Sequence, residues 1–222
     1  MGSIVHLKPL KLYSHKRGPN PWKVAVILEE LAIPYFSEYV EFEDTKVEPY
    51  ILLNPNGKLP VLEDPNQEIV LFESGAIIEY LVDQYDVDGK LTPESPQEKW
   101  LARSWLHLQM SAQGPACGYK IWLNRTYAPD ALVAANEFFT KEIQRVVGVL
   151  DGQLQRRKDP FLLGPKMSYA DLAFVPHYLM LSLFVPGYDP AVEYPHFAAW
   201  LERMKEQSSV KKIVAAKEAL LK

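Results

Sequence analysis

The sequence predicts two domains of different class, an α/β domain followed by an all-helical one. Three observations carry this. Residues 1–86 alternate short β-type runs with helical patterns, residues 87–96 form a polar, turn-rich linker, and residues 97–222 hold helical periodicity with strand patterns largely gone. At 222 residues the chain is long enough for two such domains to bury their own cores.

Leu10–Ser14 reads as a short strand, and Pro21–Leu31 as a helix with Val24, Ile27, Leu28 and Leu31 on one face. Tyr35–Val40 is a second strand, ahead of a polar stretch through Glu41, Glu43 and Asp44. Pro60–Leu62 and Glu68–Phe72 flank the turn residues Asp64-Pro65-Asn66 and read as a hairpin. Ser74–Tyr85 is a helix with Ile77, Ile78, Leu81 and Val82 as its apolar stripe. The order β-α-β and then β-β-α implies a mixed sheet flanked by helices. Asp88, Gly89, Pro93, Ser95 and Pro96 punctuate the linker. Helical patterns then run through Gln97–Trp122, Asp130–Arg156, Ser168–Leu183, Pro195–Lys205 and Val210–Leu221.

Composition narrows the partners. Hydrophobic residues at 48% and charged residues at 23% are the balance of a soluble globular chain. A net charge of −4 leaves no surplus of Lys and Arg to displace counterions, so nucleic acid is not expected as a partner. Cys117 is the only cysteine, which rules out an internal disulfide, a CxxC redox pair and a Cys-rich metal site. The N-terminus lacks a charged segment followed by a long apolar run, and apolar runs elsewhere are short. A cytoplasmic protein with no metal and no membrane segment is the expectation.

Three motifs carry chemistry. Asn54-Pro55-Asn56-Gly57-Lys58-Leu59-Pro60-Val61-Leu62 is a loop turning sharply into a strand. It is either an ordinary loop before a hairpin or, with Pro60 cis, an edge that presents Leu59's backbone groups to an extended, peptide-like ligand. Glu73-Ser74-Gly75-Ala76-Ile77 lies at a strand-to-helix junction. Ser74 there reads as an N-cap. The same corner can bind an α-amino acid group, with helix N–H groups for the carboxylate and Glu73 for the ammonium. In Ser14-His15-Lys16-Arg17-Gly18-Pro19-Asn20-Pro21-Trp22-Lys23, Asn20 fits as an N-cap followed by proline at N1. A helix start also favours a thiolate. Lowering a thiol pKa by about two units is worth roughly 2.7 kcal/mol and makes the thiolate dominant at neutral pH.

Together these motifs, in order and spacing, resemble the glutathione S-transferase family over nearly the whole chain. The resemblance implies a thioredoxin-like α/β domain followed by the family's helical domain, glutathione as co-substrate, no metal, and a homodimer. It implies that Pro60 is cis, that Leu59 pairs with the cysteinyl backbone of glutathione, that Glu73 and Ser74 hold the γ-glutamyl end, and that Lys58 reaches the glycine carboxylate. Ser168-Tyr169-Ala170-Asp171-Leu172-Ala173-Phe174 resembles the capping box of the family's sixth helix, with Ser168 as cap and Asp171 reaching back.

Ser14-His15, Pro19-Asn20, Trp105–Ser111 and Gly114-Pro115 are similar to the nu-type, largely fungal branch. That branch includes bacterial relatives and the glutathione-binding domain of the yeast nitrogen-regulator prion. Its members place an asparagine against the glutathione sulfur, a slot that Asn20 fills, with Ser14 as the rival. No Ser adjoins Pro21 as in the theta pattern, and no Cys lies in the loop as in the omega pattern. Tyr119 and Trp122 fall on the helix that walls the family's electrophile pocket, although core packing explains them equally well.

The function this implies is conjugation of glutathione to a small apolar electrophile, as in detoxification. A glutathione-dependent peroxidase or disulfide reductase, an isomerase or biosynthetic enzyme of fungal secondary metabolism, and a non-enzymatic regulator are the alternatives. Lys16 and Arg17 either attract the anionic tripeptide or are solvated loop residues. His15 has no evident carboxylate or cysteine partner at useful spacing, and His107, His177 and His196 show no metal-like pairing.

Overall fold

The computed structural model describes residues 7–127 and 132–222. The first turn expected of the Asp130–Arg156 helix begins outside these residues. Contacts divide the chain into two compact units, one reaching Asp88 and including Ser208–Lys222, the other Gly89–Gln207.

The first unit is built on a four-stranded mixed sheet of strands β1 (Leu10–Ser14), β2 (Tyr35–Tyr39), β3 (Val61–Asp64) and β4 (Ile69–Phe72), in the order β2-β1-β3-β4. β1 and β2 are parallel; β1–β3 and β3–β4 are antiparallel. Leu10 and Leu12 point one way from β1 and are fully buried, as the two-residue period of a strand dictates. Helices α1 (Pro19–Glu30), α2 (Tyr50–Leu53) and α3 (Ser74–Tyr85) connect the strands. Val24, Ile27 and Leu28 of α1 and Ile77, Ile78 and Leu81 of α3 are sealed from solvent. This is the thioredoxin-like arrangement, and it matches the expected mixed sheet.

The second unit is helical: α4 (Pro96–Leu108), α5 (Gly114–Thr126), α6 (Val133–Arg157), α7 (Tyr169–Tyr178), α8 (Leu181–Phe184) and α9 (Pro195–Lys205). Two expected helices are divided. The run expected over Gln97–Trp122 is broken by a wide π-type turn at Gln109–Gln113, where the Gly114 N–H bonds back to Gln109 O. Pro115 is the physical reason: its ring would meet the carbonyl four residues back in an unbroken α-helix, and a wider turn makes room. The run expected over Ser168–Leu183 separates into α7 and α8 soon after Pro176.

The last helix, α10 (Ser208–Leu221), follows the helices of the second unit in sequence but is grouped with the first unit by its contacts. It lies with the first unit, against α1, where Lys212 Nζ is 3.1 Å from Glu29 Oε2. Periodicity registers that a helix is amphipathic and carries no information about which surface covers its apolar face.

The capping box at α7 forms as read. Ser168 N and Oγ donate to Asp171 Oδ2 at 3.0 and 2.8 Å. Asp171 does more than cap, because Oδ1 also accepts from Leu162 N at 2.9 Å and Trp200 Nε1 at 3.0 Å.

Candidate functional site

The sheet register brings the three motifs to one end of the first unit. Tyr13 of β1 pairs with Val61 of β3, and Val61 pairs with Phe72 of β4. Continuing each ladder by one residue sets Ser14 beside Pro60 and Pro60 beside Glu73. The row Ser14–Pro60–Glu73 is therefore a consequence of strand pairing.

The Leu59–Pro60 bond is cis, as expected. The loop ahead of it is held from within. Asn54, buried at the end of α2, accepts from Asn56 N at 2.9 Å and donates through Nδ2 to Lys58 O at 2.7 Å, where Tyr50 OH also donates at 2.8 Å. One residue earlier, the Gly57 carbonyl is met by Lys46 Nζ and by the Thr45 hydroxyl. Gly57 is obligatory: its φ is +58°, and a Cβ would stand 2.9 Å from Thr45 O. Two successive carbonyls are thus fixed inward. Leu59 packs with Tyr13, Tyr50 and Val61 and lies just outside the β3 ladder, while the Lys58 side chain is exposed.

At the next junction the helix spans Ser74–Tyr85 as expected, but its cap is one residue earlier than expected. Glu73, not Ser74, occupies the N-cap, with φ 68° and ψ 114°, and Ile77 N donates to Glu73 O at 2.9 Å. A left-handed glutamate costs backbone strain, which is tolerated where surroundings enforce it. Glu73 is exposed, whereas Ser74 is buried as the first helical residue. The first-turn amide groups of α3 lie beside both.

The expected N-cap at Asn20 is also corrected. α1 starts at Pro19 with Gly18 as N-cap, which leaves Asn20 half-buried within the first turn. Pro19 explains the shift, because its fixed φ suits the first helical position as well as that of Pro21. Asn20 therefore has no capping duty, and because Pro19 and Pro21 carry no N–H it holds the only backbone N–H of the first three helical residues. Ser14, the rival, is buried to 2% exposure at the end of β1, where its carbonyl accepts from Val40 N at 2.9 Å. Arg17 is exposed.

Two groups escaped the sequence reading. His15 does have a carboxylate partner: Glu41 Oε2 lies 3.4 Å from its Nε2. The parallel pairing of Ser14 with Tyr39 carries the two following segments side by side, which spacing along the chain could not reveal. Lys23 is fully buried in α1; burial pushes its pKa down to about 7, against the pull of the Glu73 carboxylate. Its signal was present, since Lys23 stands four residues before Ile27 on the apolar face of α1.

Tyr119 and Trp122 belong to α5 in the second unit and are 53% and 55% exposed, so core packing does not account for them. Tyr119 lies near Phe139 and Trp122 edge-on to Tyr127. Cys117 is buried, and burial pushes its thiol up to about 12, which removes it as a nucleophile. Among the described residues no group of three or more His, Cys, Asp or Glu is placed to hold a metal ion, and no helix is long and apolar enough to cross a membrane.

Residues 8–83 match the model of the glutathione S-transferase N-terminal domain, and residues 119–217 that of a glutathione S-transferase C-terminal domain. Glutathione S-transferase-like protein OpS6 of Beauveria bassiana is 68% identical over 217 residues, covering 98% of this chain and 100% of the relative. Glutathione transferase URE2P8 of Phanerochaete chrysosporium, solved with oxidized glutathione, superimposes with a TM-score of 0.89 at 31% identity, covering 98% of each chain. Ure2p5 of the same fungus, cocrystallized with 1-(S-glutathionyl)-2,4-dinitrobenzene, gives a TM-score of 0.84 at 30% identity over 97% of each chain.

Proposed function

The chain belongs to the glutathione S-transferase family, in its fungal Ure2-like group, and from that premise we propose that it binds glutathione at the Ser14–Pro60–Glu73 end of the sheet and conjugates it to a small apolar electrophile. The observation that carries the reading is the register that lines up the cis Leu59–Pro60 edge with the Glu73–Ser74 corner. Leu59 lies just outside the β3 ladder, so its backbone groups are placed to pair with an extended tripeptide laid along it. Its γ-glutamyl carboxylate meets the amides and hydroxyl at Ser74, its ammonium meets Glu73, and Lys58 and Arg17 supply charge for its glycine end.

The sulfur then lies toward the start of α1. There the Asn20 amide, between two prolines that carry no N–H, and the positive end of the helix dipole stabilise the thiolate. The thiol proton leaves to solvent, and the sulfur electron pair forms a C–S bond at the electrophilic carbon. In a substitution the leaving group departs with its bonding pair; in an addition that pair moves onto the activated system, which later takes up a proton. Tyr119 and Trp122, exposed on α5 of the second unit, are the residues the family resemblance offers for the electrophile. The neighbour cocrystallized with a glutathionyl dinitrobenzene supports conjugation over the other chemistries. A cytoplasmic homodimer acting in detoxification or secondary metabolism completes this reading.

A second reading has its own support in the neighbour solved with oxidized glutathione. As a peroxidase, two glutathione molecules would reduce a hydroperoxide to alcohol and water and leave as the disulfide. Cys117, buried and poorly ionised, would take no part.

Initial rates with glutathione and chlorodinitrobenzene, cumene hydroperoxide or hydroxyethyl disulfide decide between them. Turnover of chlorodinitrobenzene is the expected result. Hydroperoxide or disulfide turnover without conjugation would shift the assignment to the second reading. Folded protein that binds glutathione but is silent with all three would favour the isomerase or regulator class.

A further inference from the structure

His15 lies one residue beyond β1 and is 4% exposed. Its ring stacks on Phe42 with centroids 3.9 Å apart. Arg17 N and Gly18 N both donate to Nδ1, at 3.1 and 3.2 Å. A nitrogen that accepts two amide hydrogens carries no proton, so the ring proton sits on Nε2, which faces Glu41 Oε2 at 3.4 Å. The His15 carbonyl in turn accepts from Trp22 Nε1 at 3.2 Å, tying the same residue to the first turns of α1. Gly18, one of the two amides held, is the N-cap of that helix.

We propose that His15 is a positioning residue for the thiol end of the site: its neutral ring, clamped between Phe42 and Glu41, fixes the Arg17 and Gly18 amides and thereby the start of α1 where Asn20 stands. This rests on the reading of Asn20 as the group that faces the glutathione sulfur. A core histidine with a purely structural duty would need only its ring packing. Here the acceptor nitrogen is committed to the backbone that sets the helix origin. The charged groups that face the ring are Glu41, from the segment after β2, and Lys16 and Arg17 on its own loop. Burial pushes the ring's pKa below the ordinary histidine value, in keeping with the tautomer that the amides require.

Imidazole nitrogen shifts of the full chain read the tautomer without any glutathione. Unprotonated Nδ1 and protonated Nε2 at neutral pH are expected, and a protonated Nδ1 overturns the proposal. His15→Asn returns an oxygen acceptor near the Nδ1 position, His15→Gln returns one near Nε2, and His15→Phe returns none. The pKa of the bound glutathione thiol, read as thiolate absorbance against pH, should rise by about one unit, a tenfold loss of thiolate at neutral pH, in the Gln and Phe variants. It should stay near the wild-type value in the Asn variant, with KM for glutathione within about threefold in all three. An unshifted thiol in His15→Gln, or equal shifts in the Asn and Gln variants, overturns the proposal. That pair keeps it falsifiable should His15→Phe fail to fold. Wild-type protein with no glutathione affinity would overturn the site reading and this proposal with it. Glutathione binding with indistinguishable variants overturns this proposal alone.

Discussion

Replacing Asp171 by alanine should destabilise the second unit by about 3–5 kcal/mol, well beyond the loss of a helix cap alone, which is about 0.5–2 kcal/mol. The difference comes from the bonding. The carboxylate is fully buried and takes hydrogen bonds from Leu162 N, Trp200 Nε1, Ser168 N and Ser168 Oγ. Alanine strands the Leu162 and Ser168 amides and the Trp200 indole N–H, while the Ser168 hydroxyl can rotate. Each orphaned buried donor costs about 1–3 kcal/mol, and the three share one small cavity, so their costs do not simply add. Asp171→Asn keeps an acceptor oxygen for Leu162 and Trp200 but turns an NH2 toward the Ser168 amide, for a smaller loss of about 1–2 kcal/mol. Urea unfolding followed by far-ultraviolet circular dichroism and by tryptophan fluorescence measures both variants. A loss under about 1 kcal/mol for alanine, or equal losses for alanine and asparagine, would refute a load carried by four bonds.

Three further outcomes follow from the first unit. Gly57→Ala should cost about 2–3 kcal/mol, since it adds a left-handed backbone penalty of about 1–2 kcal/mol to a close contact with the Thr45 carbonyl, and thermal unfolding that hardly changes would contradict this. Lys23 titrates at about 7 in the folded chain and near 10.5 unfolded, so the unfolded state binds more protons between those values and stability should rise with pH across that window. Lys23→Met removes that dependence; its stability advantage over wild type should shrink by up to about 1.4 kcal/mol per pH unit between pH 7.5 and 9.5, and a constant difference would show that Lys23 titrates normally. Asn20→Ala should raise the bound thiol's pKa by about one unit with little change in stability, because Gly18 is the cap; a stable protein with an unshifted thiol would remove Asn20 from the chemistry.

Much of the fold was legible because its signals are local. The strand at Leu10–Ser14, the hairpin around Pro65-Asn66 and the capping box at Ser168–Asp171 follow from alternation, turn residues and cap spacing. What escaped depends on nonlocal packing. The place of α10 against α1, the π-type turn before Pro115 and the meeting of His15 with Glu41 are fixed by partners distant in sequence or by a change of helix geometry. The two helix caps at the site moved for a third reason: several residues in each junction were competent caps, and only the tertiary course of the chain selects Gly18 and Glu73. The motifs themselves were readable, and the register that aligns them was not.

The central claim is that glutathione lies across the cis Leu59–Pro60 edge and the Glu73–Ser74 corner. Calorimetric titration of glutathione into wild-type chain and into the Glu73→Ala, Ser74→Ala double variant tests it most directly. Saturable one-site binding by the wild type, weakened at least about tenfold (about 1.4 kcal/mol) in a double variant of unchanged fold, is the expected result. Equal affinity in the two proteins would contradict the site.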